Sequence, residues 1–482
     1  MTKQMTKQGG EKEKKSGHAW RDNIEAITMA VIMAVMLKYF IVEAYKIPTG
    51  SMQPTLMGND ETGIKDRILV DKLSYHFREP ERWEVTVFKY PLDLSKNFIK
   101  RLCGVGPEDL KIENGDLWTR PFSNDEDSGE PWTILRRPLP VQREIWKPLY
   151  PGQDGLPGWK ALGGARSWGV EGDTVVARGD GSLRYPPSGS VMDDYRHGYP
   201  LTVRKAIRTN HLSSQRPVGD LRVAGRVEAL AGCESVKIEL REGSRRYMFT
   251  LPGPAAQEGT SLGIEAEELV TSFGSPLAQA RGVLGEGGWR LEAGDAIEFS
   301  LQNMDDLLTL AIEGLEDLEL EIPAATDQSS AIFLHVEGEG ANIEDLMVYR
   351  DIHYVGDSMK RDRWSIPEGQ YVMLGDNTQD SSDAREWTLN RIQYPADTGP
   401  IYRGNHRGNN ENPKVVPGMP GGAMEWFRDE FGELHHWRAA ESNRLSPVDV
   451  SFVPRELITG RAVVVFWPFK PSFKLWRLQW IR

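Results

Sequence analysis

Ile47-Pro48-Thr49-Gly50-Ser51-Met52-Gln53-Pro54-Thr55-Leu56 begins just after the chain's only long apolar segment, and the rest of the sequence is organised around what its serine is for. Pro48 and Pro54 restrict their own φ and push the residue before them toward extended backbone, while Gly50 permits a bend. A hydroxyl on such stiffened backbone is held at a fixed angle. That suits a nucleophile, and it also suits an ordinary turn; the flanking segments have to decide.

Upstream, residues 1–22 form a polar, Lys-rich tail, and residues 23–45 read as a transmembrane anchor. The apolar run is about long enough to cross a bilayer. A buried helix of a soluble fold is disfavoured because no polar face interrupts the run from Ala26 to Leu37. A cleavable signal peptide fits less well, because the run exceeds a typical signal core and no clear small-x-small site follows it. Lys3, Lys7, Lys12, Lys14, Lys15 and Arg21 outnumber Glu11, Glu13 and Asp22, which places the N-terminus in the cytoplasm. Everything after Tyr45 is then expected on the outer, periplasmic side of the plasma (inner) membrane, with Ser51 close to the lipid surface.

The 482 residues suggest two or three domains, and 39% hydrophobic with 27% charged residues is the composition of a folded protein, not a multi-span membrane protein. A net charge of −12 without a basic stripe beyond the N-terminus argues against a nucleic-acid partner. Cys103 and Cys233 match no metal spacing, and whether they pair is open. His197, His211, His335, His353, His406, His435 and His436 form no metal-binding pattern, so neither a metal nor a cofactor is expected.

Downstream, Arg67–Leu73, Trp83–Tyr90 and Phe98–Val105 have the alternating or β-branched character of strands. Period-2 alternation puts Lys100 on the same face as Phe98 and Leu102. If that face is buried, desolvation disfavours the ammonium and makes a neutral amine available; an edge-strand lysine in water is the plainer reading.

Four stretches then fall in a familiar order: Ile47–Leu56, Arg67–Lys72, Phe98-Ile99-Lys100-Arg101, and Gly375-Asp376-Asn377-Thr378-Gln379-Asp380-Ser381-Ser382-Asp383-Ala384-Arg385-Glu386-Trp387. Together they resemble the boxes of bacterial type I signal peptidases, and Ile458–Pro468 is similar to that family's final strand. The resemblance implies Ser51 as nucleophile and Lys100 as general base of a Ser-Lys dyad, the amine variant of acyl transfer. It implies Ser381 as the hydroxyl that orients the lysine, Asp383 and Arg385 as a supporting ion pair, and Asp376 as a structural acid. Thr49, where the family has a serine, keeps the hydroxyl for an oxyanion hole and adds a methyl. Ile47, Pro48, Met52, Phe98 and Ile99 flank the pair and either line shallow pockets for small substrate residues or are ordinary core. Gly106-Pro107-Glu108-Asp109 and Thr378-Gln379-Asp380 depart from the usual boxes in loop positions.

The expected fold is mostly β: the anchor, then a signal-peptidase-type catalytic core over 46–117 and 344–482, interrupted by a β-rich insert over 118–343. Within the insert, residues 118–211 are rich in Pro, Gly and Trp and read as irregular structure and short strands. Residues 212–343 carry alternating strands separated by Gly-rich turns, a sandwich that loosely resembles a concanavalin-type jelly roll. A second, loop-rich insertion is expected over about 394–443. The function this points to is a membrane-anchored serine endopeptidase that removes signal peptides from exported preproteins, cutting after small residues. The alternative is a catalytically idle, membrane-tethered protein whose sandwich binds carbohydrate or cell-wall material. A self-cleaving Ser-Lys repressor-type protease is disfavoured by the anchor and the acidic balance.

Overall fold

A computed structural model of the chain describes residues 19–481 except 124–128, 151–157, 164–166, 172–173, 198, 200, 208–214, 269–279, 284–287, 326–328, 357–360, 406–411 and 471–474. Most of the N-terminal tail, residues 1–18, lies outside the described residues. Strands dominate, as the alternating sequence predicts.

The sheet that carries Lys100 draws on both halves of the chain. Among the described residues its order is Val42–Lys46, Arg67–Asp71, Ile458–Trp467, Val85–Tyr90, Asp93–Val105, Gln370–Leu374 and Val453–Pro454, with Gln479–Trp480 added beside Ile458–Trp467. Every pairing in it is antiparallel. The strand Ile458–Trp467 is therefore central, lying between two strands contributed nearly 400 residues earlier. Alternation sends Ile68, Val70, Val85, Val87 and Val465 into a core beneath the Ser51 turn, and Phe88, Leu102, Leu374 and Trp387 into a second core.

Two further sheets face each other over one continuous apolar core. Leu221–Ala229, Ala296–Met304, Leu307–Ile312 and Ala341–Arg350 belong to one, and Cys233–Glu242, Arg245–Pro252, Gly263–Glu268 and Ser330–Gly338 to the other. Val223, Val227, Phe299, Leu301 and Val348 meet Ile238, Leu240, Tyr247, Phe249 and Leu334 between them, the packing of a β-sandwich. Short strands before residue 212 join these sheets too: Lys160–Leu162 and Gly181–Tyr185 on one, Lys147–Tyr150, Trp168–Glu171 and Thr174–Ala177 on the other. Their brevity, and the Gly and Pro around them, hide the alternation from a sequence reading.

The N-terminal segment departs from expectation. The α-helix spans Ala19–Met36, Leu37–Ile41 form a π-helical turn, and Val42–Lys46 is a strand paired with Arg67–Asp71. Among the described residues no helix is long and apolar enough to cross a membrane. Two physical reasons account for the shortfall. The helix of 18 residues reaches only about 27 Å and begins with Arg21, Asp22 and Glu25. The aromatic and β-branched run Tyr39-Phe40-Ile41-Val42 leads into sheet pairing, for which those side chains are suited. Ile27, Met29, Val31, Ile32, Met33, Val35 and Phe40 are all exposed, so among the described residues no surface covers the apolar segment.

Beside the sandwich strands Leu221–Ala229 and Ala296–Met304, Asp116, Asp220 and Asp305 bring carboxylate oxygens within 4.8 Å of one another. Arg137 is a buried counter-ion to this group, 2.8 Å from Asp305 and 2.6 Å from Asp351. Burial and mutual repulsion raise the pKa of Asp116 and Asp220, and burial pushes Asp351 up to about 6 despite Arg137. A carboxyl whose folded pKa lies above its unfolded value of about 3.9 contributes stability that is present below that value and lost as pH rises through the folded one. Asp220→Asn is therefore expected to raise the melting temperature at pH 7.5 and to leave it nearly unchanged at pH 4. Thermal unfolding of both proteins at the two pH values checks this; equal shifts at both would refute it.

Candidate active site

The turn at Ser51 is closed locally by Gln53 N donating to Gly50 O at 2.9 Å and Leu56 N to Met52 O at 2.8 Å. Ile47 N donates to Asp66 O at 2.8 Å, fixing the approach. Met52 and Leu56 are buried beneath the turn, which leaves Ser51 half-buried at its crest. Lys100 comes from the strand Asp93–Val105, opposite Thr86 of Val85–Tyr90. Its Nζ donates to Ser51 Oγ at 2.5 Å, lies 5.8 Å from the centre of the Phe98 ring, and the residue is only 2% exposed.

The loop after Gln370–Leu374 braces both groups. Asn377 N donates to Ser51 O at 3.2 Å and Asn377 Nδ2 to Gly50 O at 3.0 Å. Asp376 receives Arg101 Nε at 2.9 Å, Arg101 Nη2 at 2.7 Å and Thr55 Oγ1 at 2.5 Å, all buried. One carboxylate thus clamps the residue after Lys100 to the turn that presents Ser51. Burial works to raise its pKa, but Arg101 and the Thr55 hydroxyl hold it below the usual carboxylate range. Asp383 accepts Arg385 Nε at 2.8 Å, Arg385 Nη2 at 2.7 Å and Gly375 N at 2.9 Å. Burial opposes ionisation there as well, yet Arg385 and the nearby Lys100 hold it down to about 2.

Ser381 is buried beside Gly375, but its hydroxyl makes no hydrogen bond among the described residues, so the expected orienting bond to Lys100 is not formed in this structure. Thr49 is exposed, and its backbone packs against Gly58. The five pocket candidates do not form one wall. Ile47, Met52 and Ile99 share the core under the turn, Phe98 stacks on Tyr90 across the sheet with ring centres 3.8 Å apart, and Pro48 is exposed. Arg101, Thr55 and Asn377 were not singled out from sequence. An available signal was Arg101 itself: a second cation next to Lys100 in a strand points to the opposite face and, if buried there, needs an acid.

Gly375 is required by close approach. A Cβ there would stand 2.0 Å from Ser381 Oγ and 2.5 Å from Ser51 O. Gly375→Ala is expected to displace the turn and lower turnover about 100-fold, with circular dichroism still showing a β fold. Activity within threefold of the parent would contradict this.

A serine hydroxyl bonded to a buried amine is an arrangement in which a neutral amine could take up the serine proton. In sequence, residues 20–131 match the profile described as "Signal peptidase, peptidase S26". Through this segment the chain is similar to bacterial type I signal peptidases. The probable signal peptidase I-2 of Synechocystis sp. is 34% identical over 122 residues, covering 24% of this chain and 53% of that protein. The signal peptidase I of Pseudomonas aeruginosa is 38% identical over 115 residues, 20% of this chain and 38% of that protein. The chain thus spans about half the length, or less, of these curated relatives. Among solved structures, a putative glycosyl hydrolase from Parabacteroides distasonis covers 45% of this chain and 98% of its own, at 12% identity and a TM-score of 0.27.

Proposed function

We propose that the chain is a membrane-anchored serine endopeptidase that removes signal peptides from exported preproteins, with Ser51 as nucleophile and Lys100 as general base. The observation that carries this reading is the 2.5 Å contact between Ser51 Oγ and a lysine amine almost wholly removed from water. In the neutral form the amine accepts the Ser51 proton as the oxygen attacks the scissile carbonyl. The resulting ammonium then protonates the departing amine of the mature protein, and a water molecule, activated by the same lysine, releases the acylated signal peptide. The Ser51 N–H and the Thr49 hydroxyl are the donors nearest in sequence for the oxyanion, Thr49 after a side-chain rotation that substrate binding would drive. Ser381 serves the lysine in the same way, by turning its free hydroxyl toward the amine. Asp376, Asp383 and Arg385 hold the loop that braces the pair. Small substrate side chains fit the shallow apolar ground near Ile47, Met52 and Ile99, with Pro48 and Phe98 at its margins.

The lipid bilayer is the second partner. Helix Ala19–Met36 alone is too short and polar to cross, but with the contiguous π turn Leu37–Ile41 it would form the anchor at the plasma membrane, N-terminus cytoplasmic and catalytic core periplasmic. Trp467, Phe469, Trp476, Leu478 and Trp480 are exposed on the C-terminal strands, and Arg477 and Gln479 between them donate to Thr55 O of the nucleophile turn. Aromatic side chains of this kind favour the membrane–water interface. The division into a core over 46–117 and 344–482, an insert over 118–343 and a second insertion over 394–443 belongs to the same proposal.

The test is cleavage of a preprotein in detergent by the parent, Ser51→Ala and Lys100→Ala chains, with N-terminal sequencing of the product. Loss of cleavage in both variants supports the reading; unchanged cleavage in either removes that residue from the mechanism. A second reading, a sandwich that binds carbohydrate or cell-wall material, is favoured by one feature. The outward face of the sheet holding Ser330–Gly338 has a polar cavity of about 700 Å³ lined by Ser182, Lys237, Glu239, Arg246, His335 and Glu337 among others. Binding of cell-wall glycans that Glu239→Gln abolishes, with no preprotein cleavage by the parent, would favour that reading.

A further inference from the structure

One segment of the insert leaves the sandwich and reaches the nucleophile turn. The described residues of 191–207, all but 198 and 200, start from the sandwich, where Ser330 Oγ donates to Val191 O at 3.2 Å. Arg350, at the end of the strand Ala341–Arg350, anchors the segment further by donating to Asp194 O at 2.7 Å and to His197 Nδ1 at 2.9 Å. The far part has different neighbours. Tyr195, Tyr199, Val203 and Ile207 are buried against Met57, Ile64 and Leu475, and Met57 and Ile64 belong to the loop that follows Ser51. Tyr199 Oη donates to Pro54 O at 3.0 Å within this contact. Gln379 Nε2 donates to Asp193 O at 3.0 Å, which ties the same arm to the loop carrying Asp376 and Asp383.

A nucleophile keeps its aim only if the backbone that presents it is held from more than one side. Asn377 and the Asp376 clamp hold the Ser51 turn from the core. The other flank, Pro54 to Ile64, is held by the arm. Gln53 connects the two, because its side-chain oxygen packs on Gly50, 2.5 Å from where a Cβ would sit.

We propose that the arm at residues 191–207 is a positioning element for Ser51, with Tyr199 as its positioning residue, so that the insert is a working part of the reaction scaffold. The proposal rests on the reading of Ser51 as nucleophile. It predicts that the insert cannot be treated as a detachable binding module.

The test uses the full chain with Tyr199→Phe, which removes only the hydroxyl, and Val203→Ala, which loosens the apolar contact. Three readouts are compared: kcat and KM for a preprotein, hydrolysis of a small activated ester that needs no extended pocket, and hydrogen exchange of residues 47–57. Each variant is expected to lower kcat roughly five- to tenfold on both substrates with KM unchanged. Exchange at 47–57 is expected to quicken while Cys233–Glu242 keeps its protection. Arg226→Ala, which removes an exposed ion pair with Glu344 on the sandwich, is expected to change none of these. Unchanged kcat and unchanged exchange in both arm variants overturn the proposal, as does an effect confined to KM. If the parent cleaves neither substrate, the peptidase reading fails separately. Exchange at 47–57 then still decides whether the arm holds the turn.

Discussion

Lys100→Ala is expected to lower kcat/KM for a preprotein by roughly 10²–10⁴-fold, the range lost when a general base is removed. The strand that carries Lys100 is fixed on both sides, by Val85–Tyr90 and by Gln370–Leu374, so the fold should survive the change. Lys100→Arg should be nearly as inactive, because a guanidinium keeps its proton at any pH a protein tolerates. The pair of variants separates two roles for the side chain. If Lys100 supplied only positive charge, arginine would rescue; if it must accept a proton, arginine fails. In the parent, the rate should climb with pH as the ammonium gives up its proton, and the residual rate of the Ala variant should lack that limb. Rescue by arginine, or a parent rate that is flat across the alkaline range, would remove Lys100 as the base.

The second large effect belongs to Asp376. Arg101 is 1% exposed, and Asp376 is the carboxylate that receives its Nε and Nη2. Asp376→Ala would leave a buried guanidinium without its anion, which typically costs about 3–5 kcal/mol. It would also release the Thr55 hydroxyl, loosening the Ser51 turn, so activity should fall together with stability. The pH dependence has a definite sign. A carboxyl held below its ordinary range contributes stability that is present above about pH 4 and lost as pH falls through the folded value. The parent should therefore lose more stability than the variant between pH 6 and pH 3. Urea denaturation at the two pH values measures the difference, and parallel losses would refute the assignment.

The candidate site was legible in sequence through the resemblance of four short stretches taken together. Singly, a serine between prolines reads as easily as an ordinary turn, and a lysine in an apolar strand as an edge-strand residue in water. Their separation in the chain did not hide them, since the Ser51 and Lys100 side chains meet in the same antiparallel core. What sequence could not supply was which polar group answers which. Arg101 finds Asp376 across 275 positions, and Asn377 reaches the Gly50 carbonyl across 327. Pairings of that kind are set by tertiary packing and carry no local pattern. The Ser381 hydroxyl, expected beside the amine, packs against Gly375 instead, a rotamer choice that spacing does not fix. The sandwich was visible wherever strands ran long enough to alternate, and obscure in 147–185, where they run only three to five residues. The anchor was overextended because hydropathy counts Tyr39 to Val42 as membrane, whereas edge pairing with Arg67–Asp71 draws the chain into the sheet from Val42 onward.

The central place of Ile458–Trp467 has a consequence for biosynthesis. Strands Arg67–Asp71 and Val85–Tyr90 are translated well before the strand that fills the gap between them, which follows nearly 400 residues later. Until residues 458–467 are made, the two sides of this sheet have no common neighbour. The Ser51 turn beside one of these strands and the Lys100 strand beside the other are therefore joined into one sheet only once residues 458–467 are in place.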